Sequence, residues 1–133
     1  MVADFHQRDI YNRINEELES LPDIDVLVNN VGALMSKRPN YFCKIDPDQL
    51  DEYINVNVFS YQKMIQLLLP RMIQKKRGVI INVSSFSGVN PIPFIIPYSA
   101  SKLFSGLKIL EFIKLLFSSS KSIHRLSDPR FGT

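Results

Sequence analysis

The chain has 133 residues, 45% apolar and 22% charged, an ordinary soluble globular composition for at most one domain with enough apolar material to bury a core. Sixteen Lys and Arg against thirteen Asp and Glu leave a net +3; only Lys75, Lys76 and Arg77 cluster, reading as the solvated last turn of a helix, so no nucleic-acid partner is expected. A lone Cys43 excludes an intrachain disulfide and a cysteine zinc cage, His6 and His124 read as surface residues rather than metal ligands, and no apolar run approaches the ~20 residues that span a bilayer.

Residues 8–21 carry Ile10, Tyr11, Ile14 and Leu18 at helical spacing with charged residues between them, which predicts a first helix. The run Val26, Leu27, Val28, ended by Asn29, Asn30 and Gly32, predicts a short strand buried on both faces. A polar loop follows over 36–44. Asp46 then caps a second helix, with Pro47 at its permitted first position and Asp48 in its first turn. Helical spacing continues over 50–76, with Pro70 removing a backbone donor and bending the helix. Gly78 is expected to end it, and residues 79–83 read as a second buried strand. Pro91, Pro93 and Pro97 exclude regular structure until a last helix opens at Tyr98. Beyond Phe117 the serine-rich residues 118–133, closed by Asp128 and Pro129, read as a disordered tail.

Helix, strand, long helix, strand, helix is the rhythm of a parallel sheet with helices on both faces, so the predicted fold class is α/β, a Rossmann-like doubly wound sheet. Ligands bind such sheets beyond the carboxyl ends of the strands. Asn29 to Gly32 and Ser84 with Ser85 fall there.

Tyr98 and Lys102 are four residues apart on the last helix, so their side chains share a face. A phenol ionises near pKa ~10, and a nearby ammonium favours the phenolate, which turns tyrosine into a usable acid and base near neutrality. Ser85, at the end of its strand, could converge on the same point and hydrogen-bond a substrate oxygen. That set suits proton delivery to a carbonyl oxygen, with hydride coming from a nicotinamide because no side chain can supply it. The alternatives are bland: an amphipathic surface for Tyr98 and Lys102, a helix-surface amide for Asn57, a helix cap for Asp4 and a strand-end turn residue for Ser85.

With "LVNNVG", "NVNVFS", "NVSS" and "YSASK" in this order and spacing, the sequence over 1–104 resembles the short-chain dehydrogenase/reductase family. Within it, "LLLPRM" and "INVSSFSGVNPIPFIIPYSASK" look most like the 17β-hydroxysteroid dehydrogenase branch that includes very-long-chain 3-oxoacyl-CoA reductases. The resemblance implies roles residue by residue. Tyr98 donates a proton to the carbonyl. Lys102 lowers the tyrosine's pKa and holds the nicotinamide ribose. Ser85 orients and polarises the substrate carbonyl, and Asn57 holds a water that links Lys102 to solvent, with a helix distortion around it. Asp4 receives the adenine amine, and Asn30, Val31 and Gly32 line the cofactor. The resemblance further implies NADPH rather than NADH, no metal, an apolar lipid or steroid substrate, a homodimer, and a location at the endoplasmic reticulum through a membrane segment that these residues do not contain.

The five glycines, Gly32, Gly78, Gly88, Gly106 and Gly132, draw no GxxxGxG phosphate cradle, which in the family would precede Met1. The family's first strands and its strands after the Tyr98 helix have no counterpart either. The expectation is therefore an incomplete Rossmann domain over 1–117 followed by a divergent tail, a truncated and inactive form that neither folds cooperatively alone nor binds nicotinamide. A non-catalytic hydroxysteroid-dehydrogenase-like interaction or regulatory protein is the alternative.

Overall fold

A computed structural model describes residues 2–34, 41–90 and 92–106. The predicted tail, the helix beyond residue 106, most of the predicted polar loop and His124 lie outside the described residues. In chain order the elements are α1 (Tyr11–Ser20), β1 (Val26–Asn29), a 3-10 turn (Phe42–Lys44), α2 (Pro47–Glu52), a π-helical segment (Tyr53–Phe59), α3 (Ser60–Gln74), β2 (Val79–Asn82), α4 (Phe86–Val89) and α5 (Ile96–Gly106).

β1 and β2 pair in parallel, Val26 opposite Val79 and Asn29 opposite Asn82, so the expected βαβ unit is present with α2 and α3 as its crossover. Side chains alternate across a strand. Leu27 and Ile80 therefore point to one side, where they pack with Ile65, Leu68 and Met72 of α3, flanked by Leu18 of α1. Each such fully buried aliphatic side chain stabilises the fold by about 1.5 to 3 kcal/mol. On that same side the Asn29 amide donates to Asn82 Oδ1 across the strands at 2.8 Å.

The opposite side corrects the prediction of strands buried on both faces. Val26 is 53% and Val28 52% exposed, and Val79 and Ile81 also stand open, so among the described residues helices cover one face of the sheet. An unbroken apolar run such as Val-Leu-Val says that both faces are apolar, not what covers them.

Three further predictions need correction. The left-handed residue after α3 is Lys76, at φ 53°, and not Gly78. Gly78 serves another need, since a Cβ there would lie 2.5 Å from Met72 Cγ. The basic cluster is not simply solvated: Lys75 Nζ pairs with Asp25 at 2.6 Å and donates to Ile24 O, and Arg77 also reaches Asp25, so the end of α3 is tied to the chain entering β1. The prolines do not keep helix away until Tyr98. α4 forms over four residues before them, and α5 begins at Ile96 with Pro97 in its first turn, where a missing N–H costs nothing. The predicted start of the second helix holds, with Asp46 Oδ1 accepting from the Asp48 N–H.

Candidate active site

The crossover helix changes winding where it passes the ends of the strands. From Tyr53 to Phe59 it is π-helical, with the Ser60 N–H bonding back to Asn55 O, and Asn57 lies inside the widened turn with 0% exposure. Such segments store an irregularity in the backbone and are frequent at functional sites. Asn57 is thus no surface amide. Its Oδ1 accepts from the Ala33 N–H at 2.8 Å, and its Nδ2 donates to Ala33 O at 3.1 Å and to Ser101 Oγ at 2.9 Å. One amide therefore clamps the loop after β1 to α5. Gly32, beside that loop residue, has room for no more: a Cβ would sit 2.8 Å from Lys102 Nζ and 3.5 Å from Asn57 Oδ1. Asn57, Gly32 and Lys102 thereby share one crevice at the carboxyl ends of the strands.

Lys102 is 4% exposed. Among the described residues its ammonium donates to neutral oxygens, the Tyr61 hydroxyl and Val83 O, each at 3.4 Å, and no carboxylate approaches it. Burial holds its pKa below the usual lysine value. Tyr98, one turn earlier on α5, is half-buried, its ring edge-on to Tyr53 with centroids 6.1 Å apart. It is also near enough that its charge, after burial itself, adds to the raised pKa of Tyr61.

Ser85 is the N-cap of α4: its Oγ accepts from the Ser87 N–H at 3.3 Å and lies 3.0 Å from Ser87 Oγ. The turn-residue reading of Ser85 thus describes a geometry that is present. The neighbouring Ser84, expected with Ser85 at the strand end but without a role of its own, donates to Lys102 O at 2.6 Å and fixes α5 to the end of β2. α4 and α5 touch through Gly88, where a Cβ would lie 2.9 Å from Leu103 N and Lys102 C.

Asp4, Val31 and Gly32 line one cavity of about 420 Å3 together with His6, Glu52 and Val56. Asn30 lines a separate cavity of about 90 Å3 under β1. Asp4 is no helix cap. Its Oδ1 accepts from the His6 N–H and meets His6 Nδ1 at 2.7 Å, while His6 Nε2 meets Glu52 Oε1 at 3.1 Å. The imidazole between two carboxylates has a raised pKa, chiefly through its bond to Asp4, and Asp4 is lowered in return. Among the described residues no group of His, Cys, Asp and Glu is arranged to hold a metal ion. At the opening of α5, Tyr41, Phe42, Ile45, Pro93, Phe94, Ile96 and Pro97 enclose an apolar pocket of about 190 Å3. There Phe94 adopts φ 67° and stands edge-on to Tyr41.

Residues 1–108 match the family model described as short chain dehydrogenase. The very-long-chain 3-oxoacyl-CoA reductase of Anas platyrhynchos is 50% identical over 107 residues, 78% of this chain and 34% of that protein. The 17-beta-hydroxysteroid dehydrogenase type 3 of Rattus norvegicus is 45% identical over 102 residues, 77% of this chain and 33% of that protein. The chain thus spans about a third of the length of these curated relatives. A crystal structure of a metagenomic short-chain oxidoreductase in complex with NADP superposes with a TM-score of 0.71 at 28% identity, covering 94% of this chain and 53% of that one.

Proposed function

The chain belongs to the short-chain dehydrogenase family, and on that premise we propose that its crevice performs the acid–base half of an NADPH-dependent ketone reduction. The observation that carries this reading is Lys102, an ammonium 4% exposed with no carboxylate beside it among the described residues. Burying a charge without an opposite partner costs stability, and such groups concentrate where chemistry needs them.

In this reading the half-buried Tyr98 protonates the carbonyl oxygen as the ketone becomes an alcohol. Lys102 lends its charge to the phenolate left behind. Ser85 orients the carbonyl, and Asn57 holds the loop against which Lys102 rests. Bound nicotinamide supplies the hydride. Gly32, with no Cβ to collide with the ammonium, lets the loop after β1 close against Lys102 and lines the cavity that a cofactor would enter, and Asp4 on the same cavity fits an amine donor such as adenine's. The apolar pocket beside α5 favours an apolar ketone, a 3-oxoacyl-CoA or a 17-ketosteroid, as the names of the relatives suggest. A homodimer and a location at the endoplasmic reticulum belong to the same proposal; among the described residues no helix is long and apolar enough to cross a bilayer.

The test is turnover of both ketones with NADPH by the chain and by Tyr98→Phe, alongside a fluorescence titration of NADPH. Reduction that falls about 100-fold or more in the variant is expected, the usual weight of a positioned acid. Undiminished turnover in Tyr98→Phe removes that residue from the mechanism. The titration separates failed chemistry from failed binding.

A further inference from the structure

The crevice contains a second phenol that the proposed reaction does not use. Tyr61, on α3, is 2% exposed, more deeply buried than Tyr98. Its hydroxyl lies 2.9 Å from Val31 O beyond β1, 3.3 Å from Val83 O beyond β2 and 3.4 Å from Lys102 Nζ. A phenol has one proton, and two carbonyl oxygens compete for it, so toward the ammonium it can only accept. The Tyr61 ring adds to this, its centroid 5.5 Å from Nζ, within the range where a π-face attracts a cation.

We propose that Tyr61 is a positioning residue for Lys102, whose hydroxyl, pinned to the two strand ends, fixes where the ammonium sits in the crevice and stabilises its charged form. Among the described residues, these groups face Nζ. α3 brings Tyr61, the end of β2 brings Val83 O, the loop after β1 brings Gly32, and the π segment brings Asn57; none is anionic. Tyr98 is a titratable neighbour of Tyr61, where its charge is felt. The two phenols divide the work. Tyr61, with its proton committed to backbone carbonyls and its ring sealed in, cannot reach a substrate, whereas Tyr98 can. The inference rests on the proposed reading only in giving Lys102 a catalytic neighbour.

The experiment is an NMR titration of the Lys102 side chain in the full chain labelled with 13C at lysine Cε, the signal being assigned by its loss in Lys102→Met. Tyr61→Phe keeps the ring and removes the acceptor. The expected result is a downward shift of the Lys102 midpoint, a loss of proton affinity of about threefold or more. A purely structural tyrosine would lower the melting temperature and leave the midpoint where it was, and that outcome overturns the proposal. Where Tyr61→Phe fails to fold, the unsubstituted chain decides: a nuclear Overhauser effect between the Tyr61 ring and Lys102 Hε supports the contact, and its absence overturns it. Neither readout needs turnover. Loss of the reductase reading through Tyr98→Phe therefore leaves this inference standing, and the reverse holds as well.

Discussion

Asn57→Ala removes the one amide that holds the loop after β1, the π segment and α5 together. Three hydrogen bonds go at once: Ala33 N–H to Oδ1, and Nδ2 to Ala33 O and to Ser101 Oγ. A net contribution of about 1 kcal/mol each gives about 3 kcal/mol. Asn57 is fully enclosed, but Ala33 is only half-buried, so water can replace part of what its backbone loses and larger penalties for orphaned groups do not apply in full. Against the ~5 to 15 kcal/mol that hold a typical domain together, the loss is severe without being certain to unfold it. Two measurements separate the parts. A urea melt reads the total, and amide exchange at Ala33 reads the local bond, where protection should fall about fivefold for ~1 kcal/mol. Ser101→Ala removes one of the three together with the bond from Ser101 Oγ to Tyr98 O and is expected to cost ~1 to 2 kcal/mol, with the double variant less than additive because both changes delete the bond that Asn57 and Ser101 share. Unchanged exchange at Ala33 in Asn57→Ala would refute the claim that this side chain holds the loop.

Lys102→Met tests the cost of the buried ammonium from the stability side. The folded pKa lies below 10.5 because of burial, so between the folded value and 10.5 the unfolded chain binds more protons and stability rises with pH across that window. Methionine should abolish this alkaline gain and stabilise the chain at neutral pH on the order of 1 kcal/mol, read as a melting temperature roughly 4 °C higher. The Tyr61 hydroxyl keeps Val31 O at 2.9 Å and lies 3.3 Å from Val83 O; a lower melting temperature at pH 7 would show the ammonium to be net stabilising. For His6 the sign is the opposite. Its pKa is raised above 6.5 by Asp4 and Glu52, so its contribution is complete below 6.5 and fades as pH rises through the folded value. An imidazole NMR titration should give a midpoint above 6.5 that falls in Glu52→Gln, and an identical midpoint in the variant would mean that residues 4–6 are not fastened to α2.

What could be read from the sequence divides along the reach of each interaction. The βαβ order, the Asp46 cap and the distortion at Asn57 were legible because local spacing or a short motif carries them. The failures share a cause. α4 is a single turn, too short for any period, and its signal was the Ser85 cap followed three residues on by Gly88, a pattern that reads equally well as a turn. Pro97 reads as a breaker beside Pro91 and Pro93, although proline is accepted in a first helical turn, as at Pro47.

The site's supporting residues were invisible for a deeper reason. Tyr61 sits 41 positions from Lys102, and His6 sits 46 from Glu52. On a helical pattern Tyr61 is simply one more apolar residue facing a sheet, and nothing in its neighbours says that its hydroxyl will emerge where two strands end. That coincidence is set by the π segment, which begins the covered face of α3 one residue out of ordinary register, next to the residue whose amide the distortion buries. A motif therefore reveals the groups that act, while the groups that hold them in place follow from how helix and sheet meet. The apolar outer side of the strands, with Val26 and Val28 half-exposed, makes the same point for the fold, since its cover depends on partners that no local pattern names.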